Sequence, residues 1–205
     1  IGFPLLLWLL FARKKKGVSI AVIAGAAGFF VPQIIIRLPI IQLLALLPGW
    51  IDFNQNNILL SVSIFAFTAS LFETTGRLIV FKTLLKSRLS YNSAVGAGIG
   101  HGGIESIFLI GFTYINNIVF SFLINIDILP DFPGIEEAVK ALTLTAPELF
   151  LIAGFERIFT IFFHIFISVL LCYFMLKGKA FLGFAICIFI HFALDFIFPL
   201  MNVNG

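Results

Sequence analysis

Apolar runs long enough to cross a lipid bilayer partition this chain. A helix that spans the ~30 Å hydrocarbon layer needs about 20 mostly apolar residues. Such runs are expected to span from Val18 to Ile36, Ile58 to Phe81, Ala94 to Ile124, Pro147 to Leu176 and Ala180 to Leu200. A run from Ile1 to Ala12 reaches only about 18 Å as a helix. Together with an Ile at position 1, it suggests a truncated first span behind a trimmed N-terminus. Arg37 and Pro39 interrupt the pattern, and Ile40 to Leu47 is too short to cross. That piece reads as interfacial, re-entrant or a kinked extension. The expected fold is all-α, a polytopic transmembrane helical bundle of about six spans, with residues 1–205 forming one integral-membrane domain.

Composition agrees. The chain is 60% hydrophobic and 11% charged, with 27 phenylalanines. A soluble domain is roughly 45–50% apolar and about 25% charged. A soluble enzyme, a nucleic-acid reader and a disordered chain are all excluded, so no nucleic-acid partner is expected. Two cysteines inside apolar runs, Cys172 and Cys187, exclude a disulfide scaffold.

Loop charge sets the expected orientation. Arg13, Lys14, Lys15 and Lys16, then Lys82, Lys86 and Arg88, then Lys177 and Lys179 follow the first, third and fifth runs. The alternate loops carry Lys140 beside Asp52, Asp127, Asp131, Glu136 and Glu137. By the positive-inside rule the basic loops are cytoplasmic. The acidic loop from Asn125 to Ala146 is then external.

Once the loops are subtracted, ionisable residues remain inside the spans: Glu73, Arg77, His101, Glu105, Glu156, Arg157, His164, His191 and Asp195, with Arg37 and Glu148 near the edges. Such groups are costly in a bilayer and read as functional by default. Glu73 and Arg77 are four residues apart, as are His101 and Glu105, and His191 and Asp195, so each pair shares a helix face. Counted from the basic ends, Glu73, His101, Glu105, His164 and His191 fall about 11–19 Å into the layer, and Asp195 a little deeper. Arg77 places an opposite charge beside Glu73. Glu156 and Arg157 lie nearer the outer side and read as structural glue pairing with each other's neighbours, and Arg37 as a side chain reaching the outer interface. Gly96/Gly100 and Gly98/Gly102 are small-residue pairs of the kind that let helices approach closely.

Several protease chemistries lack their residues. There is no HExxH, no GxSG and no GxGD string, and Asp195 is the sole aspartate within a span. What remains is carboxylate and imidazole, which suits water activation by a general base with imidazole donors for an oxyanion. A proton- or ion-coupled transporter would use similar residues, and a non-catalytic scaffold would keep the fold alone. No internal repeat supports the transporter.

Phe72-Glu73-Thr74-Thr75-Gly76-Arg77, Gly98-Ile99-Gly100-His101-Gly102-Gly103-Ile104-Glu105, Glu156-Arg157 with His164, and His191-Phe192-Ala193-Leu194-Asp195 together resemble the YhfC family of intramembrane peptidases. That family is similar to the CAAX prenyl protease and bacteriocin-processing group, and more distantly to PrsW-type proteases, which are glutamate-dependent. The resemblance runs from the second span to the end, and GHGGIE is its most specific part. It implies an intramembrane endopeptidase of a bacterial cell membrane, acting on a membrane-embedded or lipid-anchored peptide. Glu73 and Arg77 match the second Glu and the Arg of EExxxR, with Phe72 in place of the first Glu. His101 matches the His of FxxxH, with Ala97 in place of Phe. His191 and Asp195 match the closing HxxxN or HxxxD. The implied catalytic set is Glu73, Arg77, His101, Glu105, His164, His191 and Asp195. Glu73 is the first candidate for the base and Glu105 the second. His191, oriented by Asp195, and His164 would face the oxyanion. No cofactor is expected, although three histidines and two glutamates could hold Zn²⁺. The polar site is expected to open toward the cytoplasmic half.

Overall fold

The computed structural model describes residues 1–14, 17–128 and 134–203. Lys15, Lys16 and Asp131 lie outside them. The described residues form α1 (Gly2–Lys14), α2 (Val18–Leu44), α3 (Trp50–Asn56), α4 (Ile58–Lys82), α5 (Tyr91–Asn125), α6 (Ile135–Leu144), α7 (Pro147–Leu176) and α8 (Ala180–Val203). Among the described residues no strand occurs. Helices α2, α4, α5, α7 and α8 are long and apolar enough to cross a membrane, with α1 a shorter apolar helix beside them. The protein is an integral membrane protein with a helical-bundle fold.

Local chemistry sets the ends of these helices. Ser90 and Ser93 cap α5 reciprocally, each side chain accepting the other's backbone N–H. Pro147 opens α7 in the first turn, where a missing N–H costs nothing. Gly178, at φ +73°, reverses the chain between α7 and α8. The stretch from Ile40 to Leu47 proves largely to be the kinked extension of α2. Pro32 offers no amide to the preceding turn, and the helix widens to π geometry over Phe30–Arg37 before continuing to Leu44. A second π segment, Ile107–Gly111, interrupts α5. The loop expected from Asn125 to Ala146 contains the short helix α6.

Helix α5 stands between α2 and α7, which make the most extensive packing in the bundle. A Cβ at Gly100 would overlap the Val22 carbonyl of α2, and one at Gly96 would meet Val18 and Ala21. A Cβ at Gly98 would overlap the backbone at Ile165 of α7, and one at Gly102 would reach Ile161 at 2.9 Å. The two small-residue pairs thus face two different neighbours. Gly28 of α2 and Gly76 of α4 meet in the same way.

The apolar core occupies one end of the bundle. Val80, Phe81, Leu85, Ala94, Ala97, Ile167, Leu171, Cys172 and Cys187 pack together beside the basic loops. Both cysteines are free thiols in this core.

Replacing Gly100 by Val should separate α2 from α5 and destabilise the bundle by about 1–3 kcal/mol or more. Gly154, with nothing within 4 Å of its added Cβ, should tolerate Ala with a gain of up to about 1 kcal/mol. Reversible unfolding in mixed micelles measures both.

Candidate active site

Four spans deliver the ionisable residues to one layer. Glu73 and Arg77 come from α4, His101 and Glu105 from α5, His164 from α7, and His191 and Asp195 from α8. The glycines flanking His101 let α5 come close enough for the three histidine rings to touch. His101 stacks on His164 with centroids 4.7 Å apart, and His164 meets His191 edge-on at 5.3 Å. All three rings are buried, as are Glu73, Arg77 and Glu105.

The contacts divide around the two glutamates. Glu73 Oε2 lies 3.0 Å from His101 Nε2 and 3.7 Å from His191 Nε2. Its Oε1 accepts a 2.9 Å hydrogen bond from Gln33 Nε2. Glu105 Oε2 lies 2.5 Å from His164 Nε2, and Oε1 lies 3.5 Å from Arg157. Glu105 Oε2 meets His164 Nε2 and, among the described residues, no other polar partner. His191 Nε2 is also 3.4 Å from Asp195 Oδ2. Both acids therefore approach the same nitrogen of His191, and its buried Nδ1 has no hydrogen-bond partner among the described residues.

Several expectations need correction. Arg77 does stand as an opposite charge within reach of Glu73, but its guanidinium donates its hydrogen bond to His164 Nδ1 at 2.9 Å. The rotation of α4 presents it to α7. Arg37 does not reach the interface: it is buried, donating from Nε to Thr68 Oγ1 at 3.1 Å and from its terminal nitrogen to the Phe65 carbonyl at 2.8 Å. The continuation of α2 past Arg37 keeps it against α4. Arg157 pairs with Glu156, but it also reaches Glu105 and so joins the site. Gln33 was not expected there. It is a lone amide in an apolar run, next to a proline, and those two signals mark it in the sequence.

A cavity of about 700 Å³ reaches this layer between α7 and α8. Glu105, Arg157, His164, His191 and Asp195 line it, with Phe159, Phe163, Phe198 and Pro199 as apolar walls. Among the described residues, Glu73 and His101 lie behind this wall. Asp195 is the more open acid, its side chain 32% exposed against 5% for Glu73. Arg157, Phe198 and Pro199 stand far from the Lys177–Lys179 turn, so the cavity extends away from the basic loops. The apolar core fills the other end, which overturns the expected direction of opening.

Glu73, His164 and His191 offer ligand atoms within 4.8 Å of one another, all buried. The residue types suit zinc, which takes three protein ligands in catalytic sites. The hydrogen bonding does not. A guanidinium only donates, so the Arg77 contact makes His164 Nδ1 an acceptor and leaves the ring proton on Nε2. Zinc-binding histidines use their second nitrogen in the opposite sense, as a donor to an acid, carbonyl or water. As hydrogen-bonded here, the trio offers lone pairs from Glu73 and His191 alone, and it does not fit a zinc ion.

The family profile described as YhfC intramembrane metalloprotease matches residues 2–205. Over 112 residues, 51% of this chain, the sequence is 29% identical to a Bacillus subtilis (strain 168) protein described as uncharacterized membrane protein YhfC. The matched stretch is 43% of that relative's length. No solved structure matches the chain. With nearly its whole length matched, the chain belongs to the YhfC intramembrane metalloprotease family.

Proposed function

We propose that this protein is an intramembrane endopeptidase of a bacterial cell membrane. It hydrolyses a membrane-embedded or lipid-anchored peptide in the cavity between α7 and α8, using a carboxylate to activate water. The observation that carries this reading is Glu105, a buried carboxylate held by His164 and Arg157 that lines a cavity it shares with two histidines. A carboxylate has about four acceptor positions, so the contacts to Arg157 and His164 leave room for a water.

In this reading Glu105 takes a proton from the water as its oxygen attacks the peptide carbonyl carbon. The proton then passes to the departing amide nitrogen. The tetrahedral oxyanion meets the His164 N–H, with His191 and Asp195 completing the wall. Glu73 serves as the buried acid that holds His101 and His191 in place, with Gln33 fixing its other oxygen. The base role thus moves from Glu73, the first sequence candidate, to Glu105. Substrate reaches the groups through the phenylalanine-walled part of the cavity, whose apolar surface suits a peptide coming from lipid.

A second reading follows the family's description and places a metal on Glu73, His164 and His191. It requires the contact between Arg77 and His164 to open first.

Purified protein in lipid nanodiscs should cleave members of a fluorogenic membrane-peptide library. Glu105→Gln should lower the rate about 10²–10⁴-fold, and more than Glu73→Gln does. The reverse order would return the base role to Glu73. No cleavage of any peptide by the unaltered protein, with a proton flux detected in its place, would favour a transporter.

A strong chelator should leave the cleavage rate unchanged. Activity lost to chelator and restored by Zn²⁺ would establish the metal reading.

A further inference from the structure

Arg77 is nearly as buried as any residue in the bundle, yet no carboxylate neutralises it directly. Its partner is the ring of His164, and its Nε and other terminal nitrogen are buried without hydrogen bonds among the described residues. An arginine inside a membrane protein ordinarily pairs with an acid or a carbonyl. Here Glu73 stands on the same helix face, engaged by His101 and Gln33 instead. What the guanidinium does accomplish is specific. Imidazole has one ring proton in its neutral form, and a permanent donor at Nδ1 confines that proton to Nε2.

We infer that Arg77 is a positioning residue that fixes His164 as an Nε2–H donor and thereby keeps it from serving as a metal ligand. Second-shell groups set the tautomer of functional histidines elsewhere. In this chain the group is a cation, and the consequence is opposite to that of the usual carboxylate or carbonyl. His164 lines the cavity, and the donor held in place faces Glu105, which lines it too. The inference deepens the hydrolytic reading, but its central test needs no cleavage. The two therefore fail separately.

The test is long-range proton–nitrogen correlation spectroscopy on histidine-labelled protein in nanodiscs. The His164 signals are assigned by their loss in His164→Gln. The unaltered protein is expected to show His164 in the Nε2–H form, and Zn²⁺ should leave both its ring nitrogens unmoved. Arg77→Lys, which keeps a donor, should retain that form. Arg77→Met should free the Nδ1 lone pair, with Glu105 still facing Nε2, so that Zn²⁺ shifts the His164 nitrogens and binds about tenfold tighter or more. An Nδ1–H form in the unaltered protein, or His164 nitrogens that shift on adding Zn²⁺ to it, would overturn the inference. Should the Met variant fail to fold, these two observations on the unaltered protein still decide.

Discussion

Helix α5 can stand at the centre of this bundle because Gly96, Gly98, Gly100 and Gly102 carry no side chains. Two of them admit the backbone of α2 and two admit that of α7. Lipid tails are as apolar as leucine, so hydrophobic burial does little to hold membrane helices together, and close van der Waals approach has to do it. The site depends on the same approach. His101 lies within this glycine stretch and Glu105 one turn beyond it. The ring contacts with His164 exist at the distances seen only because α5 and α7 nearly touch.

The close packing also explains how polar groups survive at this depth. A bilayer offers no water to satisfy them, so each must find partners within the protein. The three histidines, two glutamates, Asp195, Arg77, Arg157 and Gln33 form one connected set of contacts. Below it, on the side of the basic loops, the apolar cluster around Phe81, Leu85 and Leu171 closes the bundle. Above it the helices part, and the cavity between α7 and α8 begins. The site is thus sealed at one end and open at the other.

Most of the fold was legible in the sequence because membrane length and loop charge are one-dimensional signals. The spans, their order and the tight turn after Met175 and Leu176 follow from apolar runs and from where Lys177 and Lys179 fall. The members of the site were legible for a related reason: an ionisable residue inside a span is conspicuous, and a spacing of four puts two of them on one face. Their partners were not legible. Whether Arg77 meets Glu73 or His164 depends on how far α4 is rotated toward α7, and spacing within one helix does not encode that. Arg37 looked like an edge residue because Pro39 suggested an end to the helix, whereas the π segment carries the helix onward. The direction of the cavity was hidden too, since it depends on which end small residues and phenylalanines fill together.

Buried polar clusters of this kind are poor stabilisers. Replacing such a network by well-packed apolar side chains is often neutral or favourable to stability, and within a membrane the expense of a lone charge is greater still. The cluster here goes further, because His191 Nδ1 and two nitrogens of Arg77 have no hydrogen-bond partner among the described residues and Glu105 Oε2 meets His164 alone. A bundle selected for stability alone would satisfy them or lose them. These atoms also sit on residues of different character, an acceptor on Glu105 and donors on Arg77, with His164 between them touching both. A network that keeps an open acceptor beside an oriented donor, at the wall of a cavity, is arranged for a molecule that both donates and accepts. Water does so, and in the proposed reaction a peptide bond would supply the matching carbonyl.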